Sequence, residues 1–191
     1  MNSPTTQTTQ TGSRFSTVRL VTMALFVAIL AVSAYISIPL PLPGAPHITM
    51  LNFVIILIAL LFSPAEGFLI ILIWMILGVI GVPVFIGGRA GIGYLLAPYG
   101  GYTLVFPLIG LLLPLIRGKQ YSRPRYTAAA VIGVLLIDFL GMFWLMGMNH
   151  LGLKAGLLTG FVPFLPLDLL KAIVAAQIVP AFRRVMRTQP A

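Results

Sequence analysis

Long apolar segments alternate along the chain with short stretches rich in Gly, Pro and basic residues. Segments of this length and composition predict membrane-spanning helices. Several of them fall below the roughly 20 residues that cross about 30 Å of hydrocarbon, so we expect tilted helices and local thinning of the bilayer. The six predicted spans are residues 18–38, 48–62, 65–80, 101–116, 128–146 and 165–179.

The predicted fold is an all-α integral membrane protein, a six-transmembrane-helix bundle formed by residues 14–187 as one domain. Residues 1–13 are mostly Thr, Gln and Ser without an apolar period, which indicates a disordered cytoplasmic tail. Residues 81–100 are too apolar for an exposed loop and too rich in Gly and Pro for a continuous helix. Irregular backbone at membrane depth is tolerated inside protein or along a cavity, so we expect this external segment to cap a ligand pocket.

Composition supports a membrane protein, because 59% of residues are hydrophobic and 8% are charged, with a mean hydropathy of +1.07. A soluble domain carries about 25% charged residues. Most Lys and Arg residues flank the predicted spans, and the positive-inside bias places them and both termini in the cytoplasm. We therefore expect a multi-pass protein of the cell membrane. We attribute the net charge of +9 to basic residues that orient the chain in the membrane, and not to a nucleic-acid-binding surface. The basic clusters are Arg14 with Arg19, then Arg117, Lys119, Arg123 and Arg125, then Arg183, Arg184 and Arg187.

Three ionisable residues predict a ligand site. Asp168 and Lys171 lie three positions apart at the start of the last predicted helix and therefore share a face. Ionisable groups in a span face a cavity or pair with one another, so the alternative is an ion pair that only neutralises both charges. Arg89 lies among glycines, and its planar guanidinium matches a carboxylate or amide; the alternative is anchoring to lipid headgroups. Together the three carry one net positive charge, which predicts a small monoanion with an apolar body and an N–H donor.

Asp138 falls near the middle of the fifth predicted span. An acid at that depth predicts either a proton relay or a structural carboxyl between helices, and we favour the structural role because the sequence offers no second acid nearby. On the first predicted helix, Ala24 and Ala28 form a strip of small residues. Such a strip predicts close contact with another helix, either in a partner membrane protein or within the bundle.

Two segments carry a resemblance to a known family: GVPVFIGGRAGIGYLLAPYGGYTLVFP, which begins at Gly81, and PFLPLDLLKAIVAA, which begins at Pro163. They resemble the BioY family, the biotin-binding S components of energy-coupling factor (ECF) vitamin transporters. The resemblance implies a six-helix bundle that holds biotin near the external face and docks onto a transmembrane T component and two ATPases. It also implies that Ala24 and Ala28 face the T component. The residues it implies in the biotin site are Arg89, Asp168 and Lys171. We also predict Gly88, Gly91 and Tyr102 as substrate-binding residues.

The sequence therefore predicts a substrate-binding subunit that delivers biotin for uptake, without catalytic residues, metal or cofactor of its own. No nucleotide-binding motif is present in the sequence, so the energy must come from another chain. Family members commonly read Ile-Thr-x-Gln where this chain has Ile48-Thr49-Met50-Leu51. Because a polar group is missing there, an S component for a related carboxylated cofactor such as lipoate stays an alternative. An autonomous proton-coupled carrier using Asp138 is a second alternative, and a membrane enzyme or assembly factor is less favoured.

Overall fold

The computed structural model of the chain describes residues 17–38 and 47–187. Residues 1–13, predicted to form the tail, lie outside the described residues, as does Arg14 of the first basic cluster. The elements of the described residues are α1 (Thr17–Ser33), β1 (Ser37–Ile38), β2 (Ile48–Thr49), α2 (Leu51–Leu61), α3 (Pro64–Val79), a 3₁₀ turn (Ile86–Gly88), α4 (Ile92–Leu95), α5 (Gly100–Arg117), α6 (Arg123–Asn149), α7 (Leu153–Gly160) and α8 (Leu165–Arg187).

Helices α1, α2, α3, α5, α6 and α8 fall on the six predicted apolar segments, so the prediction of a helical bundle is confirmed. Local start signals explain several helix boundaries. The backbone N–H of Ser63 donates to Glu66 Oε2 at 3.0 Å, which closes a capping box at the start of α3. Pro124 and Pro166 lie in the first turns of α6 and α8, where a helix needs no backbone N–H.

The first two helices are shorter than predicted. Helix α1 ends at Ser33 and α2 begins at Leu51, and part of the intervening chain forms an antiparallel pair of strands, β1 and β2. The Thr49 hydroxyl oxygen accepts a hydrogen bond from the Leu51 backbone N–H at 3.1 Å, which marks the change from strand to helix. Short apolar runs of β-branched residues fit a strand as well as a helix, so periodicity alone placed these boundaries wrongly.

Helix α7 lies outside the six predicted spans, so the sequence did not predict it. Two of its glycines lie directly against α6. A Cβ added to Gly156 would come 2.4 Å from Met146 Cγ, and one added to Gly160 would come 2.8 Å from Leu145 Cδ2. Glycine disfavours a helix locally. Close packing against α6 compensates for that preference, and this contact is not visible in the sequence.

Helix α2 is the centre of the bundle. It contacts α1, α3, α5, α6 and α8. Nine of its eleven residues are buried, consistent with a helix that is apolar on all sides. At 1.5 Å per residue it is only about 16 Å long, so a membrane crossing at this helix requires local thinning of the bilayer.

Three described helices, α5, α6 and α8, are long and apolar enough to cross a membrane. Helices α1, α2 and α3 are shorter but also apolar. Many large apolar side chains, such as Val32, Ile80 and Leu115, lie exposed on the outside of the bundle. An outer surface of this kind requires lipid, so the chain is a multi-pass membrane protein.

One end of the bundle, where α2 and α5 finish and α6 starts, carries the second basic cluster; we call it the basic end. Its Arg117 was predicted to flank a span, but it is buried and only 6% exposed. The guanidinium donates to the carbonyl oxygens of Ala59 at 3.1 Å and Phe62 at 2.6 Å, and to the Tyr126 hydroxyl at 2.7 Å. Arg117 therefore closes the C-terminal end of α2, where helix carbonyls lack partners.

Candidate ligand-binding site

A cavity opens at the other end of the bundle, between the first residues of α2 and α8, the first turns of α5, the middle of α6 and the segment 81–100. Its empty volume, including the open mouth, is about 540 Å³. The lining residues are His47, Thr49, Asn52, Ile86, Arg89, Tyr94, Tyr99, Tyr102, Phe106, Asp138, Phe164 and Asp168.

Asp168 lies in the first turn of α8, as predicted, and is 3% exposed. Its Oδ1 accepts a hydrogen bond from Lys171 Nζ at 2.6 Å, and its Oδ2 accepts one from Asn52 Nδ2 at 2.9 Å. Lys171 Nζ also donates to the carbonyl oxygen of Thr49 at 2.9 Å. The ion pair considered as an alternative therefore forms, and it forms in the wall of a cavity. The sequence indicated the ion pair and the ligand site as alternatives, whereas in the structure Asp168 forms the ion pair and also lines the cavity.

Asn52 is a site residue that the sequence did not predict. Leu51, at the position where the family resemblance led us to expect Gln, is fully buried in the core and brings no polar group to the cavity. The next residue, Asn52, lines the cavity and holds Asp168. The missing polar group is therefore supplied one position later. The sequence did contain a signal for this role, because Asn52 is a polar residue in an otherwise apolar helix.

The segment 81–100 is anchored in the bundle by Phe85. This side chain is fully buried, with its ring 4.5 Å from Tyr94 in a stacked pair and 5.4 Å from Trp74 in an edge-on pair. Trp74 Nε1 donates to the carbonyl oxygen of Val84 at 3.1 Å. A Cβ on Gly78 would lie 2.2 Å from the Phe85 ring, so this glycine makes room for it. These contacts fix the part of the segment that carries Arg89.

Arg89 lies at the edge of the cavity on a tight turn and has an exposed side chain. The turn is closed by a hydrogen bond from the Phe85 backbone N–H to the Arg89 carbonyl oxygen at 3.0 Å. Gly87 and Gly88 have φ angles of +70° and +74°, a conformation that side chains rarely adopt. Among the described residues, the Arg89 guanidinium has no hydrogen-bond or ion-pair partner. It is therefore available to a ligand.

Aromatic rings form much of the remaining wall. The ring of Tyr102 lines the cavity, but its hydroxyl donates to the carbonyl oxygen of Gly160 at 2.5 Å and is thus committed to α7. Burial raises the pKa of the Tyr94 hydroxyl, an effect that Thr103 and Arg89 partly offset. Tyr94 therefore stays a neutral group. Such walls suit the apolar body of a ligand.

Asp138 also lines this cavity and is 1% exposed. Its Oδ2 has no hydrogen-bond partner in the described part of the chain. The charged groups that act on it are Asp168 and Lys171. The prediction that no second acid lies near Asp138 is therefore wrong. The two carboxyls are 30 positions apart in sequence, and only packing of α6 against α8 brings them to one cavity.

His47 lies at the cavity edge next to the described start of β2. Its pKa is lowered below 6.5, mainly by burial and secondarily by the positive charge of Arg89. Its Nδ1 has no partner among the residues that the structure describes. No pattern in the sequence pointed to a place for His47 in the cavity.

The remaining predicted site residues have other positions. Gly88 and Gly91 shape the turn around Arg89 but do not line the cavity. Lys171 is not a lining residue either, but it contacts two residues that are, Asp168 and Thr49. Gly91 has a φ angle of +87° and donates its backbone N–H to Gly78. Ala24 and Ala28 are exposed on the outer face of α1, away from the cavity lining.

The bundle and its charged cavity define a class of protein, the membrane S components that bind small ligands. The crystal structure of an S-component for biotin from an ECF-type ABC transporter matches this fold with a TM-score of 0.78. The match has 27% sequence identity and covers 86% of this chain and 90% of that chain. The chain belongs to the BioY family, whose sequence profile matches residues 5–188.

Relatives of known name agree with this assignment. A Pyrococcus horikoshii protein named probable biotin transporter BioY is 39% identical over 156 residues, which cover 82% of this chain and 90% of the relative. A Thermotoga maritima protein named biotin transporter BioY is 35% identical over 160 residues, which cover 84% and 92%. The family resemblance predicted from the two sequence segments is confirmed.

Proposed function

We propose that this chain is the biotin-binding S component of an ATP-driven ECF transporter and delivers biotin for uptake. The observation that carries the proposal is one cavity that combines the buried Asp168, held by Lys171 and Asn52, with an exposed Arg89 and aromatic walls. The fold around this cavity is similar to that of an S-component for biotin. The names of the relatives support the same ligand. The chain is then a transporter subunit and not an enzyme.

The chemistry of biotin suits this cavity. Biotin has a ureido ring with two N–H donors and one carbonyl acceptor, an apolar thioether ring and chain, and a terminal carboxylate. Carboxyl oxygens at the Asp168 side would accept the N–H donors, and Arg89 would hold the carboxylate by charge-assisted hydrogen bonds. Tyr102 and its aromatic neighbours would cover the apolar part. Gly88 and Gly91 would contribute by holding Arg89 in its turn, and Lys171 by holding the Asp168 carboxylate in place.

Six crossings of the membrane are the topology we infer. Helices α1, α2, α3, α5, α6 and α8 supply them, with both termini and the basic end in the cytoplasm and the cavity outside. The supporting observation is that the second and third basic clusters lie at one end of the bundle, joined through Tyr126, which contacts both Arg117 and Arg183. The segment 81–100 would then cap the biotin site from the external side.

ATP-driven transport requires partner chains here, because the sequence contains no nucleotide-binding motif. We infer a transmembrane T component and two ATPases as these partners. Ala24 and Ala28 are exposed on α1, a peripheral helix that packs mainly on α2 and α3. Small exposed residues permit close approach of a second helix in lipid. This face of α1 is therefore the proposed contact with the T component.

Lipoate and proton coupling are less favoured. Lipoate was considered because Leu51 brings no polar group, and Asn52 supplies one at that end of the cavity. A proton-coupled carrier using Asp138 has no support from the similarity to an S-component of an ECF-type ABC transporter.

Two measurements test the proposal. The purified chain should bind biotin in a calorimetric titration and bind lipoate at least tenfold more weakly, and uptake in cells should require the ATPase partners. A chain carrying Ala24→Trp and Ala28→Trp should still bind biotin but fail to transport it. Absence of biotin binding by the unaltered chain contradicts the proposed ligand, whereas uptake without ATPases contradicts the ECF mechanism.

A further inference from the structure

We propose that Asp138 is a second ligand-binding carboxyl of the cavity and that its free Oδ2 accepts a hydrogen bond from an N–H group of the bound ligand. This inference rests on the proposed function as a biotin-binding subunit and assigns a specificity-determining residue within it. Neither the motif segments nor the family resemblance includes Asp138. Its burial, its missing partner and its neighbours support the role.

The first observation is an unpaired polar atom inside the bundle. Asp138 is 1% exposed and lies midway along α6, in a stretch of that helix where Ile137, Gly141 and Met142 are also buried. Its Oδ2 and the Nδ1 of His47 are the two buried side-chain atoms without a hydrogen-bond partner among the described residues. Both line the same cavity. A buried polar atom without a partner is rare in a native protein and requires an explanation.

The second observation is that the neighbouring donors are already engaged. Lys171 Nζ donates to Asp168 and to Thr49, and the side-chain amide of Asn52 donates to Asp168. The Tyr102 hydroxyl donates to the carbonyl oxygen of Gly160. None of these groups donates to Asp138 in the structure. A ligand in the cavity that carries an N–H group can supply the donor that Oδ2 lacks.

The third observation is the separation of charge within the cavity. Asp168 and Lys171 are the charged groups that act on Asp138, whereas Arg89 acts on His47 and Tyr94. Asp138 and Asp168, with Lys171 paired to Asp168, thus form one group of charges in the cavity, and Arg89 acts on a second group of residues, His47 and Tyr94. A ligand with N–H donors at one end and a carboxylate at the other is best matched with its donors toward the two carboxyls and its carboxylate toward Arg89.

Each carboxyl then has a distinct role. Both oxygens of Asp168 already accept one hydrogen bond from the protein, so this group is held in place and has limited remaining capacity. Asp138 keeps a free oxygen, and a carboxyl accepts an N–H hydrogen bond in either protonation state. A site built to bind an N–H group rejects ligands that lack it, because its own polar atom stays unpaired. Asp138 would therefore favour a ureido ring over a disulfide ring such as that of lipoate.

The test is a comparison of ligands and variants by calorimetric titration of the purified full chain. The ligands are biotin and two analogues, each with a methyl group on one of the two ring nitrogens. The variants are Asp138→Leu, which removes the acceptor at similar size, and Asp138→Asn, which keeps one acceptor oxygen. The matched control is Ile137→Ala, which alters packing at the adjacent buried position of α6 outside the cavity lining.

Asp138→Leu should weaken biotin binding about tenfold or more, the value of one hydrogen bond to a carboxyl group. For the analogue methylated at the nitrogen that faces Asp138, the same substitution should change affinity less than about twofold, because that hydrogen bond is already absent. Asp138→Asn should give a smaller loss for biotin, and Ile137→Ala should bind biotin within about threefold of the unaltered chain. Should Asp138→Leu not fold, Asp138→Asn is compared instead. It should weaken biotin binding but not binding of the analogue that is methylated at the nitrogen facing Asp138.

The inference is overturned if biotin affinity is unchanged in both Asp138 variants, or if all three ligands lose affinity equally. The proposed function survives either result as long as the unaltered chain binds biotin. Failure of the unaltered chain to bind biotin overturns the proposed function instead. The two failures are thus distinguishable in one set of titrations.

Discussion

The two ends of the bundle differ in whether their buried polar atoms all have hydrogen-bond partners. At the basic end, the guanidinium of Arg117 is matched by two backbone carbonyls and the Tyr126 hydroxyl. Arg183 lies 5.1 Å from the centre of the same Tyr126 ring. At the cavity end, Asp138 Oδ2 and His47 Nδ1 have no partner among the described residues.

This difference distinguishes polar groups that stabilise the fold from polar groups that bind a ligand. Membrane proteins have no water in the bilayer core to satisfy polar atoms, so a fully partnered group indicates a contribution to folding. A group in a cavity that keeps unused acceptor capacity, as Asp138 does with its free oxygen and Asp168 with its remaining lone pairs, can be completed by a ligand. We therefore expect changes at the basic end to alter stability and changes at the cavity end to alter affinity.

The largest effect is expected at Arg117. Arg117→Leu leaves the carbonyl oxygens of Ala59 and Phe62 without their donor, and each unsatisfied buried group costs about 1–3 kcal/mol, so we expect a loss of about 3 kcal/mol in the free energy of unfolding. Thermal unfolding in detergent measures this loss. The control is the exposed Lys119→Ala, which should stay within about 0.5 kcal/mol. An equal loss of biotin affinity in folded Arg117→Leu would contradict the separation of the two ends.

At the cavity end, Asp168→Asn keeps the size of the side chain and removes its charge. We expect biotin affinity to fall by about 1.5–3 kcal/mol, the value of a hydrogen bond to a charged group. Calorimetric titration measures the change. The matched control is Glu66→Gln, since Glu66 is also a buried acid in an ion pair, with Arg19 Nη2 at 2.6 Å from its Oε2. That variant should lose stability but keep its biotin affinity, and a loss of affinity there would refute the assignment.

Much of the helical fold could be predicted from the sequence, because apolar segments in a membrane protein report helices directly. The pairing of Asp168 with Lys171 was also accessible, since the two groups lie one helical turn apart. By contrast, the contact of Asn52 with Asp168 joins residues 116 positions apart. Such contacts depend on which faces of the helices meet, and a single sequence does not specify this.

The same limit explains Asp138 and Arg117. The sequence predicted the depth of Asp138 in the membrane but not its neighbours, so the acid on α8 was overlooked. It predicted the side of the membrane for Arg117 but not its burial against α2. Hydropathy thus gives the position of a residue along a helix, whereas tertiary packing determines its environment.

A smaller effect is expected at Arg89, because its side chain is exposed and water competes with the ligand. Arg89→Ala should weaken biotin binding by about 1 kcal/mol, measured by titration. It should not weaken binding of biotin amide, which lacks the carboxylate. Arg125→Ala, an exposed arginine at the basic end, serves as the control and should change neither affinity. Equal losses for biotin and its amide would show that Arg89 does not hold the carboxylate.

The smallest expected effect is on the protonation of His47, which reports the electrostatic field at the cavity mouth. Burial and then Arg89 lower the pKa of His47, because both disfavour the charged imidazolium. Removing the positive charge in Arg89→Ala should therefore raise this pKa, yet leave it below 6.5 because the burial remains. An NMR titration of the imidazole signals measures the pKa, with His150→Gln to assign the two histidines. The difference between the two proteins should shrink at high salt, since salt screens partly exposed charges. A pKa that stays constant or falls in Arg89→Ala would mean that Arg89 does not act on His47, and the proposed grouping of charges in the cavity would be wrong.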